Sequence, residues 1–334
     1  MMRTPGQGDL DALSREIERY LARLPRQGGR VALVTGANGA LGAEVARFLA
    51  LKGASVVMAC RNLETGERAR QGIQDELSKA KSEPPQLELM HLDLGSLASV
   101  RRFAQAFSDG HQRLDLLFAN AGIMAVERRL TEDGFEAQFG VNHLGHFALT
   151  GRLLPMLLST PRARVVTTTS SAAYGGRIEF DDLTGERGYR RWTAYSQSKL
   201  ANILFAFGLQ RRLLAAGAGA AASSAHPGLV HTDLQRNAAV ATRSSIEGWL
   251  LERAVPLLGQ SASMGALPLL YAALAPSSNG GELWGPRWSF FRGRPVVQKP
   301  PRSALDTSLQ DRLWRVSEEL TGVDFAGIAR NIAG

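Results

Sequence analysis

Val31-Ala32-Leu33-Val34-Thr35-Gly36-Ala37-Asn38-Gly39-Ala40-Leu41-Gly42 decides the fold of this chain. A short apolar run ends in a turn of small residues, and Val45, Phe48, Leu49 and Leu51 follow at helical spacing. An unbroken apolar run predicts a strand buried on both faces, as in a parallel sheet. The alternation continues outward. Ala54–Ala59, Leu87–Leu92, Leu114–Ala119, Arg164–Thr169 and Ala220–Ala225 read as further strands. Helical stretches at 64–79, 97–107, 132–158 and 192–214 separate them. This order predicts an α/β fold, one doubly wound parallel sheet of about seven strands with helices on both faces and right-handed crossovers. Ligand is then expected at the carboxyl ends of the strands, where strand order reverses.

Leu10, Leu13, Ile17, Tyr20, Leu21 and Leu24 space as a helix, so residues 1–29 read as an N-terminal helical extension. The main domain is expected over 30–323, with an apolar insertion at 233–260 and a tail at 324–334. The insertion carries Ile246, Trp249, Leu250 and Leu251, a pattern that fits either a lid over a lipophilic substrate or packing at the sheet edge. The Pro-rich piece from Arg294 to Pro301 reads as the start of a tail, although Leu309–Leu320 still spaces as a helix.

With 334 residues, 44% hydrophobic and 21% charged, the chain is too apolar for a disordered protein. Of its 39 basic residues only Lys52, Lys79, Lys81, Lys199 and Lys299 are lysines; the rest are arginines. The net charge of +8 raises nucleic acid, anionic lipid or a phosphorylated ligand as partners. Cys60 is the single cysteine, which excludes a disulfide within the chain and favours a reducing, cytoplasmic setting. Met1 to Gly8 is polar, so no secretory signal is expected. Prolines and glycines interrupt the uncharged stretches 213–232 and 254–281, so neither is expected to span a membrane.

After the first strand, Gly36, Asn38, Gly39, Ala40, Leu41 and Gly42 form a turn whose backbone N–H groups can approach a pyrophosphate at a helix N-terminus. Glycines also serve ordinary strand-to-helix junctions, but the flanking strand and helix favour a dinucleotide. At the end of the second strand stands Arg61, and no Asp or Glu occurs between Glu44 and Glu64. An acidic residue there would bind the 2′-hydroxyl of NAD, whereas arginine suits a 2′-phosphate. NADP(H) is therefore expected in preference to NAD(H).

Tyr195 and Lys199 lie four residues apart on one helical face. A nearby ammonium favours phenolate and can hold a ribose, although the spacing alone equally fits an amphipathic pair on a partly exposed helix.

These stretches, in this order, resemble the short-chain dehydrogenase/reductase family. The glycine turn, Asn120-Ala121-Gly122, Ser170-Ser171 and Tyr195 to Lys199 carry the likeness. Val141-Asn142-His143-Leu144-Gly145-His146-Phe147, Phe180-Asp181-Asp182-Leu183, Ser198 to Asn202 and His226 to Thr232 resemble its retinol-dehydrogenase-like branch. The likeness covers about Arg30 to Val323 and implies a Rossmann-type fold and an oxidoreductase. It implies that Tyr195 is the general acid/base and that Lys199 lowers its pKa and binds the nicotinamide ribose. It implies that Ser171 polarises the substrate oxygen and that Asn142 holds a water linking Lys199 to solvent. Asp93 and Leu94 would lie by adenine, Asn120, Ala121 and Gly122 by the cofactor's centre, and Pro227, Gly228, Val230 and Thr232 by the nicotinamide. The expected substrate is a small lipophilic carbonyl or alcohol. Two alternatives stand beside it. One is a catalytically weak NADP-binding regulator or scaffold. The other resembles protochlorophyllide reductase, against which the single cysteine and the intact Ser171 weigh.

His143, His146, His226 and His231 fall inside stretches this branch uses without metal, so no metal site is expected. Arg287 to Arg294 mixes basic and aromatic residues, but no nucleic-acid module accompanies it. It is expected to border the substrate mouth or a subunit contact in a homo-oligomer, with no nucleic-acid partner.

The turn departs from the family pattern, which has glycine at Ala40 and not at Gly39. The Ala40 methyl is expected to weaken dinucleotide affinity without abolishing it. Ala40→Gly should tighten NADPH binding in a fluorescence titration; an unchanged affinity would contradict this reading.

Overall fold

Val31–Thr35 forms strand β1, and Ala40–Leu51 forms helix α2 behind it, after an N-terminal helix α1 at Gln7–Ala22. The structure, a computed structural model, describes residues 7–79, 86–230, 259–288 and 291–330. Strands β2 (Ser55–Cys60), β3 (Leu87–His91), β4 (Leu116–Ala119), β5 (Arg164–Thr168), β6 (Ala221–Ala225), β7 (Leu283–Trp288) and β8 (Arg292–Gln298) complete one sheet of eight, ordered β3-β2-β1-β4-β5-β6-β7-β8. The order reverses between β1 and β4, which places the ligand crevice above their carboxyl ends. All neighbours pair in parallel except β7 and β8.

That last strand, antiparallel, is one beyond the expected seven or so, and it corrects the reading of Arg294–Pro301 as the start of a tail. Pro295 sits in β8 opposite Pro286 of β7, beside an irregularity in register. Prolines are tolerated at such edges but conceal a strand in the sequence.

Successive residues of the central strands serve opposite faces. Ala32, Val34, Val56, Met58, Leu116 and Phe118 pack with α1, α2 and α9 (Ala262–Leu274). Leu33, Val57 and Leu117 pack on the other face with α4 (Leu97–Gly110), α8 (Arg191–Ala215) and α10 (Thr307–Thr321). Both faces are therefore buried, as the unbroken apolar strands require.

The single helix expected over 132–158 is broken. Helix α5 starts only at Ala137, where the Glu136 carboxylate caps the N–H groups of Gln138 and Phe139. A π-helical turn, Gly140–Leu144, follows before α6 (Gly145–Arg152), and Pro155 opens α7 (Leu154–Ser159). Apolar spacing cannot register a one-residue expansion of a helix, although such turns often mark functional positions. Here the turn carries Asn142 and His143.

His143 is buried, with its ring 5.1 Å from that of Phe139 and 6.1 Å from those of Phe147 and Phe205. Its Nε2 lies 2.9 Å from Ser317 Oγ of α10, which ties the π-turn to that helix. Burial, with His146 nearby, pushes its pKa down from 6.5 to about 3. The unfolded chain therefore binds the proton more tightly than the folded one. This stabilising contribution is complete above about pH 6.5 and is lost as pH falls towards 3. His143→Phe should flatten the decline in thermal midpoint between about pH 7 and about pH 5. An equal decline in both proteins would remove His143 from the account.

Candidate active site

Above the carboxyl ends of β1, β2, β4, β5 and β6 lies a cavity of about 960 Å³. The residues expected to hold a dinucleotide line it: Gly36, Asn38 to Gly42, Arg61, Asp93, Leu94, Asn120 to Gly122, Pro227, Gly228 and Val230. Ser170, Ser171, Tyr195 and Lys199 open onto the same space. Asn142 does not line it, and Thr232 lies outside the described residues, as does most of the 233–260 insertion.

The glycine turn is shaped by close approaches. Gly36 has φ +65°, and a Cβ there would stand 2.9 Å from Ala121. A Cβ on Gly42 would stand 2.3 Å from the Gly36 carbonyl oxygen and 2.8 Å from Asn120 Nδ2. Neither position admits a side chain. Gly39 caps α2 at an ordinary φ of −82°, and a Cβ there would meet nothing nearer than 3.5 Å. Ala40 is the first residue of α2, half-buried at the cavity wall.

Thr35, which the sequence reading passed over, holds this turn against the β4 loop. Its hydroxyl oxygen accepts from the N–H groups of Asn120 at 2.9 Å and Ala121 at 3.0 Å. The hydroxyl proton has two neighbours, His146 Nε2 at 2.8 Å and the Phe118 carbonyl at 3.3 Å. His146 Nδ1 lies 3.0 Å from the Asn142 carbonyl, which can only accept. Nδ1 therefore carries the imidazole proton, and Nε2 is free to accept from Thr35. Burial keeps this ring neutral by pushing its pKa down to about 4. Asn120 Nδ2 adds a bond to the Thr35 carbonyl at 2.9 Å. His146 thus links the π-turn to the cofactor loop through hydrogen bonds, the part its sequence motif left unassigned.

Tyr195 and Lys199 project from the start of α8, both buried. Trp192, three residues earlier on that helix, sets its ring 6.0 Å from the Tyr195 ring at 82° and lines the cavity. Lys199 Nζ donates to the Thr168 carbonyl at 3.3 Å and stands 5.6 Å from the centre of the Tyr195 ring. Thr169 and Asn202 brace the same region: Thr169 Oγ1 donates to the Lys199 carbonyl, and Asn202 Nδ2 to that of Thr168. Burial pushes the Tyr195 hydroxyl up to about 12. What opposes burial is a hydrogen bond with Ser170, rather than Lys199 as the spacing suggested. Burial also lowers the Lys199 ammonium to about 8. Ser170 caps the 3-10 turn Ser171–Gly175, accepting from Ala172 N, and both serines border the cavity.

Asn142 works one layer below. Its Oδ1 accepts from Ile123 N at 2.8 Å, and its Nδ2 donates to the Ile123 carbonyl and to Ser198 Oγ, each at 2.9 Å. Ser198 in turn donates to the Tyr195 carbonyl at 2.8 Å. The amide expected to hold a water is bonded to protein groups that join the β4 loop to α8. A Cβ on Gly122 would stand 3.0 Å from Asn142 Oδ1 and 3.2 Å from Lys199 Nζ, so glycine leaves room for both.

The β7–β8 hairpin, whose stretch from Arg287 to Arg294 was expected to border the substrate mouth or a subunit contact, supplies a wall of the cavity. Phe291 lines the cavity, and its carbonyl accepts from Leu229 N at 2.9 Å. His226 Nε2 donates to Gln298 Oε1 at 2.8 Å, fastening the loop after β6 to β8. Gln260 Nε2 donates to the Pro227 carbonyl at 2.7 Å.

A family model described as short chain dehydrogenase matches residues 30–242. The chain is 38% identical to retinol dehydrogenase 13 of Homo sapiens over 298 residues, covering 89% of this chain and 86% of that protein. It is 41% identical to polyprenol dehydrogenase of Mus musculus over 317 residues, covering 92% and 89%. An uncharacterised protein from Mycobacterium paratuberculosis, of known structure, superimposes with a TM-score of 0.73 at 43% identity, covering 91% of this chain and 98% of that one.

The Thr35 hydroxyl is testable as a hub. Thr35→Val leaves two amides and one imidazole nitrogen without their partner and should cost about 2 kcal/mol or more in urea unfolding. Thr35→Ser keeps the hydroxyl and should recover most of that stability. Equal losses in both variants would place the cost in packing rather than in the hydroxyl.

Proposed function

The chain belongs to the short-chain dehydrogenase/reductase family, in its retinol-dehydrogenase-like branch, and on that premise we propose an NADP(H)-dependent oxidoreductase that interconverts a carbonyl and an alcohol on a lipophilic small molecule. What carries this reading is the buried Tyr195–Lys199 pair opening onto the cavity that the glycine turn and Arg61 also border. The turn fits a pyrophosphate, because Gly36 and Gly42 leave backbone where a Cβ would strike. Arg61 is exposed beside the N-terminus of α3 (Leu63–Lys79), where Asn62 Oδ1 accepts from Thr65 N at 2.9 Å. Among the described residues no carboxylate pairs with Arg61. A guanidinium beside a helix N-terminus suits a 2′-phosphate and supports NADP(H).

When bound, the nicotinamide cofactor supplies the hydride chemistry. Reduction adds a hydride to the carbonyl carbon and a proton to its oxygen. With its pKa at about 12, Tyr195 carries that proton at neutral pH and is placed to donate it. Ser170 and Ser171 are placed to orient the oxygen, with Ser170 already bonded to the tyrosine. Lys199, with its pKa lowered to about 8, is an ammonium at neutral pH, and its remaining donors can take ribose hydroxyls. In the oxidising direction Tyr195 must first release its own proton to solvent, and as phenolate it then takes the alcohol proton. Ile123, Met124, Trp192 and Leu229 give the reacting end an apolar wall that would select a lipophilic substrate. The names of the retinol and polyprenol dehydrogenase relatives accord with that class. We read the protein as cytoplasmic from its lone buried Cys60.

NADPH oxidation with a panel of hydrophobic aldehydes and ketones tests this. Wild type should turn over members of the panel, and Tyr195→Phe should lose about 10²–10⁴-fold. Arg61→Ala should raise KM for NADPH roughly tenfold while leaving that for NADH unchanged. Firm NADPH binding without turnover of any compound would favour the regulator or scaffold.

A further inference from the structure

The β7–β8 hairpin keeps large apolar groups in water. Trp288 is 62% exposed, Val297 53% and Phe291 44%. No acidic residue occurs from 283 to 305, whereas Arg287, Arg292, Arg294, Lys299 and Arg302 all fall there. Those five charges account for over half of the chain's net +8. Trp288 and Arg292 stand opposite each other in the ladder, with the guanidinium 5.7 Å from the ring centre. Isolated exposed apolar residues need no explanation. Aromatic and cationic groups concentrated on one hairpin do.

We propose that this hairpin docks the protein onto an anionic lipid bilayer, with Trp288 and Phe291 at the acyl boundary and Arg287 and Arg292 on lipid phosphates. Tryptophan sits preferentially at the level of the headgroups, where its apolar body is buried and its N–H stays wet. Arginine beside it forms charge-assisted bonds to phosphate. Val297, also exposed on β8, adds an aliphatic group that stacks on no base, which favours a bilayer over a polynucleotide. Among the described residues no helix is long and apolar enough to cross a membrane, so docking is peripheral. Phe291 also lines the catalytic cavity, which places the docked face beside its wall. Resting on the proposed function, that position lets a lipid-dissolved substrate enter without crossing bulk water.

Sedimentation with vesicles tests the proposal without requiring turnover. The protein should bind vesicles of phosphatidylcholine mixed with phosphatidylglycerol and leave pure phosphatidylcholine vesicles unbound. R287E/R292E should weaken partitioning about thirtyfold or more, since each basic residue near an anionic surface contributes on the order of a fivefold gain. Trp288→Ala should weaken it with the charge unchanged, and about 1 M salt should release the wild type. An unchanged thermal midpoint shows that the variants fold. Equal binding to neutral vesicles, undiminished binding of R287E/R292E, or displacement from vesicles by a tighter-binding duplex DNA oligonucleotide would each overturn it. An enzyme that turns over its panel without binding vesicles loses the docking proposal alone. One that binds vesicles without turnover loses the proposed reaction alone.

Discussion

The site depends on how closely β1 and β4 are brought together where the strand order reverses. The Thr35 hydroxyl is the atom group that sets this distance, receiving two amides of the β4 loop and giving its proton to His146. A hydroxyl has one proton and two lone pairs, and here all three are used. The glycine turn on one side and Asn120 to Gly122 on the other are thereby fixed in relation to each other. Asn142 then carries the same constraint to α8 through Ile123 and Ser198. Tyr195 and Lys199 are thus positioned by a polar network that starts at the end of the first strand.

Burial gives that network its electrostatic character. The same low-dielectric setting pushes Tyr195 up, Lys199 down and both His143 and His146 down. Each shift favours the neutral form. For the histidines this is structural, because a charged His146 would present an N–H to a hydroxyl whose lone pairs are already taken. For Tyr195 it means that the group meets a substrate as an acid.

Much of this was legible in the sequence, and for identifiable reasons. Gly36 and Gly42 advertise backbone approach, and Tyr195 with Lys199 advertises one helical face. Most of strands β1 to β6 are apolar or made of small residues, with Glu88, His91 and Arg164 as exceptions, and their bounds differ from the expected ones by no more than two residues. What stayed hidden had no local signature. The π-turn leaves hydrophobic spacing nearly intact, and Pro295 reads as a strand breaker. The preference of Tyr195 for Ser170 over Lys199 follows from where β5 ends in space. Trp192 had a usable signal, since it precedes Tyr195 by three residues on the same helix. His146 had none, because its partner Thr35 lies across the sheet, 111 residues away.

The opposed prolines of the last hairpin also govern how far the sheet can grow. Pro286 and Pro295 face each other, and neither has an N–H to give. Such a pair fits the wide, non-bonded position of an antiparallel ladder, in which the backbone nitrogens point away from the partner strand. The donor missing from Pro295 then falls on the free edge of β8, where another chain's strand would seek it. With arginines on the same strand, this margin resists strand addition and guards against aggregation by sheet extension. A second copy of the chain would then have to join elsewhere than along this edge.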